Sequence, residues 1–326
     1  MSDHTWRIWD KQNDWYMPFI SKIKANKSHG YLLCPEEMGV YGRKRYSYLN
    51  SDTSKFTLIF GSYDYDWYRK NTDIYDLSNV SLKLWQDFFL YFSIKTATNL
   101  DYHPTNDIQC LFNCMNNRAH LHRVYLMDDL AELNLLKNNF YSWQDNDIDP
   151  KIFAMQYKPA HFNMKRQLLD GPYTHESQQY FPPQVYQSLI NLITESNVDC
   201  PFITEKTFNC LLFGKMFIIY GYPGIHEKLT SMGFKLPYDI IDYESFDYEV
   251  NDRARSKKIA QELHRLTKTY KDLDKLHKSF IPLIKHNRNL IKDKARAQEG
   301  IPQEVFENTY YVDFMQEIKC RLDLLD

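Results

Sequence analysis

The chain has 326 residues, 43% of them apolar and 25% charged, with a formal net charge of −2. That length suits two domains with real cores, and the composition excludes a disordered chain. The near-neutral balance argues against a dedicated nucleic-acid binder, which carries an obvious basic excess, but leaves room for a nucleic-acid substrate held in one local groove.

Read in chain order, the first half alternates short strands with helix-compatible pieces. "HGYLLCPEEMG" predicts a strand over Tyr31–Cys34, closed by Pro35 and a polar loop. "SKFTLIFGSYDYDWY" predicts a second, Phe56–Phe60, ending at Gly61. "VSLKLWQDFFLYFSI" is helix-compatible, although its aromatic residues also suit a strand. A strand is predicted over Ile108–Phe112, followed by a polar turn from Asn116 to His120 and an amphipathic helix. In that helix Leu126, Met127, Leu130 and Leu133 recur at the spacing of one apolar face.

From about 145 to 185 Pro, Gly and polar residues cluster, so the interdomain region is expected there, with domains over 1–160 and 161–326. Beyond it come a strand "SLINLIT", a helix beginning at "TEK", a strand "MFIIYG", a helix "IHEKLTSMG" and a strand "YDIID". Charged helices follow from Asp252, with interruptions expected near Pro282 and Pro302. Strands alternating with helices imply parallel sheets. The expected fold class is therefore α/β, with two Rossmann-like domains facing a cleft.

The remaining composition bounds the setting. Aromatic residues reach 16%, including 25 Tyr, which suits stacking on sugars or bases and equally a Tyr-rich core. Six cysteines stand without CxxC pairs, and Cys110 with Cys114 lacks neighbours at zinc spacing, so reduced, packed thiols are expected. The N-terminus has no basic-then-apolar signal pattern, and no apolar run approaches the roughly 18 residues of a membrane span. A cytoplasmic protein is expected, in a host cytoplasm if the source is viral.

The segment from Glu195 to Gly224 concentrates the chemistry. Thr204 precedes a helical apolar face at Phe208, Leu211 and Leu212, so its hydroxyl is placed to cap the helix, and Gly214 is placed to end it. Glu205 and Lys206 then fall in the first turn, where a helix N-terminus attracts anions. Lys206 suits a phosphate beside the helix end, and Glu205 suits sugar hydroxyls. A capped helix whose first turn happens to be charged is the plainer alternative, since glutamate there is favoured anyway.

Glu195-Ser196-Asn197, a short gap, Thr204-Glu205-Lys206, an apolar helix and a strand ending in glycine together resemble the donor-binding signature of the fucosyltransferases of glycosyltransferase family 10. Ser196 and Asn197 are swapped in type relative to that pattern. The same order, continuing to about 250, also looks like a group of viral and bacterial glycosyltransferase-like proteins. "NNRAHLHR" from Asn116 to Arg123 is similar to a second hallmark of that group. The resemblance covers about 105 to 250. It implies a GT-B fold, a nucleotide-diphosphate sugar as donor, and contacts to it from Arg123, Glu195, Asn197, Thr204, Glu205 and Lys206. A guanidinium at Arg123 is suited to grip a diphosphate in two places, while His120 and His122 either touch phosphate or solvate the loop.

Inverting transfer to a hydroxyl needs a carboxylate to take the acceptor proton. In that family the base follows a strand of the N-terminal domain, and Glu36 and Glu37 occupy that setting here, with Asp64 in reserve. Asp64-Tyr65-Asp66 and Asp145-Asn146-Asp147 also match a DxD metal motif, a triplet common by chance. No metal and no resident cofactor are expected, because Arg, Lys and helix ends can neutralise the phosphates. The acceptor is expected to be a glycan or another hydroxyl. The rival expectations are a hydroxylated base in DNA, or an inactive nucleotide-sugar-binding module.

Overall fold

The computed structural model describes residues 21–22, 24–27, 29–34, 49–71, 78–96, 107–144, 157–169, 182–306 and 309–324. The chain forms two compact units: 1–95 with 199–203 and 294–326, and 96–198 with 204–293.

The first unit is built on a three-stranded parallel sheet of β1 (His29–Cys34), β2 (Lys55–Phe60) and β3 (Val80–Leu84), in that order. Phe56 to Phe60 are buried without a break, as expected of a strand covered on both faces. The segment expected as one helix divides in two. Val80, Leu82 and Leu84 alternate with Ser81 and Lys83 and make β3, so a period of two wins before the helix starts. Helix α1 (Tyr65–Asn71) follows β2, and α2 (Phe88–Thr96) follows β3. Trp85, Phe88 and Tyr91 form the aromatic centre of this unit, with Trp85 edge-on to Phe88 at 5.1 Å. The buried Tyr91 hydroxyl donates to the Glu299 carbonyl at 2.9 Å.

The second unit carries a four-stranded parallel sheet in the order β5-β4-β6-β7, with β4 Cys110–Asn116, β5 Phe140–Trp143, β6 Ser188–Thr194 and β7 Met216–Tyr220. Every residue of β6 and β7 is buried. Helix α3 (Leu121–Glu132) joins β4 to β5 and α4 (Pro183–Tyr186) leads into β6. Helix α5 (Glu205–Leu212) joins β6 to β7, and α6 (Ile225–Ser231) follows β7. Helix α7 (Asp252–Thr269) packs on α3, where Ser256 and Arg253 both reach the buried Asp129.

These elements correct several expectations. The boundary near 160 cannot stand, because β4 and β6 are hydrogen-bonded neighbours in one sheet. Residues 157–169 belong to the same unit: Asp128 accepts the backbone N–H groups of Ala160, His161 and Phe162, and Gln167 bridges to Trp143. Tyr238 to Asp242 is a set of turns, not a strand, with Ile240 and Ile241 both donating to the Pro237 carbonyl. Pro282 does not interrupt its helix. It lies inside α8 (Leu273–Ala297), where it forfeits a single backbone donor. After Pro302 come α9 (Gln303–Phe306) and α10 (Thr309–Leu324).

Candidate functional site

The order of strands in the second unit fixes where a ligand fits. From β4 the chain crosses to β5 on one side, and then returns to the other side of β4 as β6. Neighbouring loops therefore leave β4 and β6 in opposite directions, which opens a crevice at their carboxyl ends, the usual ligand position in such sheets. The two strand ends are tied there by the Thr194 hydroxyl, which donates to Asn116 Oδ1 at 2.7 Å.

Immediately after β6 stands Glu195, fully buried. Its carboxylate accepts the Thr204 hydroxyl at 2.8–2.9 Å and the Thr204 backbone N–H at 3.3 Å. Thr204 is also the N-cap of α5, accepting the Lys206 backbone N–H at 3.2 Å. The Lys206 ammonium closes the knot, 3.4 Å from Glu195 Oε2, 3.3 Å from Thr204 Oγ1 and 3.5 Å from Glu205 Oε1. Its side chain is 31% exposed, whereas that of Glu195 is sealed. Gly221 allows this approach: a Cβ there would stand 3.2 Å from Glu195 Cγ.

The knot is electrostatically informative. A helix N-terminus carries partial positive charge and disfavours a cation beside it, yet Lys206 is held there by Glu195 and Glu205. The result is an ammonium and a helix end aimed at the same space, an arrangement suited to an anion with more than one charge.

His122 and Arg123, from the first turn of α3, support the knot from the other side of the crevice. His122 Nε2 donates to the Glu195 carbonyl at 2.8 Å. Burial, reinforced by the nearby positive charges of Arg123, His120 and Arg255, holds its ring well below the ordinary histidine range, so it is neutral. Arg123 is buried and donates through Nη2 to the Thr194 carbonyl at 3.0 Å and through Nη1 to the Arg118 carbonyl at 3.1 Å. Both side chains thus fasten the start of the Glu195 loop. Beside them Tyr220, at the end of β7, meets the His122 ring edge-on at 5.3 Å and carries the Arg255 guanidinium over its face at 5.0 Å.

The loop after β7 is fixed separately. Gly224 takes a left-handed φ of 81° at the start of α6. Asp247 accepts the backbone N–H groups of His226 and Glu227. The His226 ring accepts the Ile219 N–H at Nε2 and pairs with Asp247 through Nδ1 at 2.6 Å.

Of the residues singled out in the sequence, Glu195, Thr204, Glu205 and Lys206 come together in this knot, and Asn197 is half-buried on the same loop. Arg123 lies at the crevice, with both terminal nitrogens turned to backbone carbonyls. Asp64 belongs to the first unit, where its Oδ1 caps α1 by accepting the Trp67 N–H at 2.9 Å. Glu36 and Glu37 lie outside the described residues, as do Asp145 to Asp147. Sequence reasoning missed Asn116, Tyr220 and Arg255. Asn116 and Tyr220 are the last residues of β4 and β7, and Arg255 lies in the first turn of α7, a position that no sequence pattern marked. Among the described residues, no group of three or more His, Cys, Asp or Glu is arranged to hold a metal ion, and no helix is long and apolar enough to cross a membrane.

No family model matches the chain, and no curated protein matches it. Two solved structures are similar. One is a mutant of T4 phage BGT in complex with UDP-glucose, at 14% identity and a TM-score of 0.45, covering 92% of this chain and 75% of that one. The other is the DNA-modifying enzyme β-glucosyltransferase in the presence and absence of uridine diphosphoglucose, also at 14% and 0.45, covering 95% and 80%. A likeness of that size carries no functional argument, so the reading below rests on the chain's own residues.

Proposed function

We propose that this chain is a GT-B-type glycosyltransferase that moves a sugar from a nucleotide-diphosphate donor to a hydroxyl acceptor, with a fucosyltransferase-like donor site and inversion at the anomeric carbon. The carrying observation is the Glu195–Thr204–Lys206 knot at the topological switch of the second unit. A cation held against a helix N-terminus is electrostatically costly on its own and is relieved by a bound diphosphate.

In this reading Lys206 and the first turn of α5 neutralise the departing diphosphate, so leaving-group stabilisation is electrostatic and needs neither metal nor resident cofactor. Glu195 and Thr204 are positioning residues that set the Lys206 ammonium. Arg123 and His122 act through the Glu195 loop. Glu205 and Asn197 face the sugar end of the donor. The acceptor oxygen bonds to the anomeric carbon, the bond from that carbon to the diphosphate breaks, and the acceptor proton passes to a carboxylate. Glu36 or Glu37 is proposed for that base, with Asp64 in reserve, since Asp64 already serves as a helix cap. The acceptor hydroxyl belongs to a glycan or, as a second reading, to a hydroxylated base in DNA.

Thermal-shift screening against a panel of nucleotide sugars tests the donor, because stabilisation follows ligand concentration over its dissociation constant. Stabilisation by at least one nucleotide sugar is expected; none across the panel would end the proposal. With a donor and acceptor in hand, transfer should survive EDTA, and loss of the base as Glu36→Gln or Glu37→Gln should lower turnover by roughly 10²–10⁴-fold. Near-normal turnover in both variants transfers the role to Asp64.

A further inference from the structure

The overall charge of −2 conceals a strong asymmetry. Between Asp252 and Ala297 fourteen Lys and Arg stand against five Asp and Glu, a net of +9, so the rest of the chain carries −11. On α7, Lys257, Gln261, His264 and Lys268 recur every three or four residues and so share one face, which continues in sequence to Lys271. On α8, Lys275, Lys278 and Lys285 recur in the same way around Pro282. Each of these lysines is exposed.

The charge on these stripes is not compensated locally. The two acids of α7 are engaged elsewhere, Asp252 with Arg255 at 2.9 Å and Glu262 with Arg265 at 2.6 Å. At the turn, Asp272 caps the Lys275 N–H, and Asp274 accepts the Ile108 N–H. Among the described residues, none of Lys257, Lys268, Lys275, Lys278 and Lys285 has a carboxylate at ion-pair distance. Five uncompensated ammonium groups repel one another, and a linear polyanion relieves that repulsion.

We propose that the solvent faces of α7 and the first part of α8 form a docking surface for the phosphate backbone of a nucleic-acid duplex, independent of base sequence. The helical part of the stripe, from Lys257 to Lys268, runs about 17 Å at helical rise, long enough to meet several phosphates along a duplex. An anionic membrane is the poorer partner. Insertion needs apolar side chains beside the basic ones, and the large apolar residues exposed in this protein all lie outside 252–297. This surface does not depend on the identity of the acceptor, and it stands or falls separately from the donor site.

Fluorescence anisotropy with a labelled DNA duplex of about 20 base pairs and arbitrary sequence tests it. Binding is expected at low salt, with log K falling linearly as log salt rises, by about 0.9 per phosphate contacted. The triple variant Lys257→Glu, Lys268→Glu, Lys278→Glu should bind at least about 10-fold more weakly at about 50 mM salt, with a shallower slope, while its melting and its stabilisation by nucleotide sugar stay unchanged. If the triple variant does not fold, the single Lys→Gln variants at these positions are read instead, each expected to reduce the slope by about one unit. The proposal is overturned by absence of duplex binding at that salt, by wild-type affinity in the variants, or by tighter binding to phosphatidylserine-containing vesicles than to duplex.

Discussion

Two lysines flank α5, and their settings are opposite. Lys206 sits in the first turn, against the positive end of the helix, partly open to solvent and held by Glu195. Lys215 sits just past the other end, almost completely buried, donating to the Tyr186 carbonyl at 3.3 Å and to the Ser188 carbonyl. A cation past the C-terminus suits the helix dipole, while one at the N-terminus opposes it. Lys215 therefore has a structural explanation: it satisfies carbonyls where the chain enters β6. Lys206 lacks one of that kind. Its position needs carboxylates to be tolerable, and Glu195 and Glu205 supply them while its side chain stays partly open to solvent.

The difference is broken most directly by removing each cation in turn. Lys206→Ala should weaken nucleotide-diphosphate binding by about 1.5–3 kcal/mol, the worth of a charge-assisted contact, whereas Lys215→Met should leave it within about 2-fold by calorimetry. Equal affinity in the Lys206 variant and the wild type would assign that lysine to the scaffold. The next largest effect lies in the knot that holds it. Thr204→Val removes both the cap and a donor to the Glu195 carboxylate, and should lower stability in urea by about 1–2 kcal/mol. Thr204→Ser, which keeps the hydroxyl, should lie close to wild type; a loss in Thr204→Ser with none in Thr204→Val would mean that the methyl group, not the hydroxyl, matters.

Part of this was readable before any coordinates. The Thr204 cap, the Gly214 stop, with its φ of 71°, and the charged first turn are local, and local chemistry is written in adjacent residues. The pairing of Glu195 with Thr204 spans nine residues, and the family resemblance implied both only as contacts to a donor, not as partners of each other. His122, expected to touch phosphate or to solvate a loop, is buried because its partner is a carbonyl 73 residues away. The same holds for Asp128 and Asp129, polar positions on an amphipathic helix that are buried by donors from 157–162 and from α7. The misplaced boundary has a related cause. The loop composition after 145 suggests a linker, but whether a loop separates domains depends on which strands pair across it. Phe140–Trp143 has only four residues, too few to show a period.

The smallest expected effect concerns Lys215 and isolates its role. Burial pulls its amine from 10.5 down to about 8, opposed only in part by the thiols of Cys210 and Cys110. Below pH 8 both folded and unfolded chains carry the charge, and the folded state bears the full penalty of burying it. As the pH rises through 8 the folded chain releases this proton while the unfolded chain keeps it, so stability rises with pH. The buried thiols work in the opposite direction. Burial raises Cys110 to about 11, and Cys114 and Cys210 to about 12, from 9.0, so the unfolded chain releases these protons first and stability falls as the pH climbs through 9. Between pH 8 and 9 the lysine alone contributes a gain of about 1 kcal/mol, within the 1.36 kcal/mol that one pKa unit represents, and the three thiols together a loss of about the same size. Urea denaturation across that interval should show nearly constant stability in the wild type and a fall of about 1 kcal/mol in Lys215→Met, whatever the variant's stability at pH 7. Identical slopes in the two proteins would mean that Lys215 does not titrate in this range and that the amine is solvated after all.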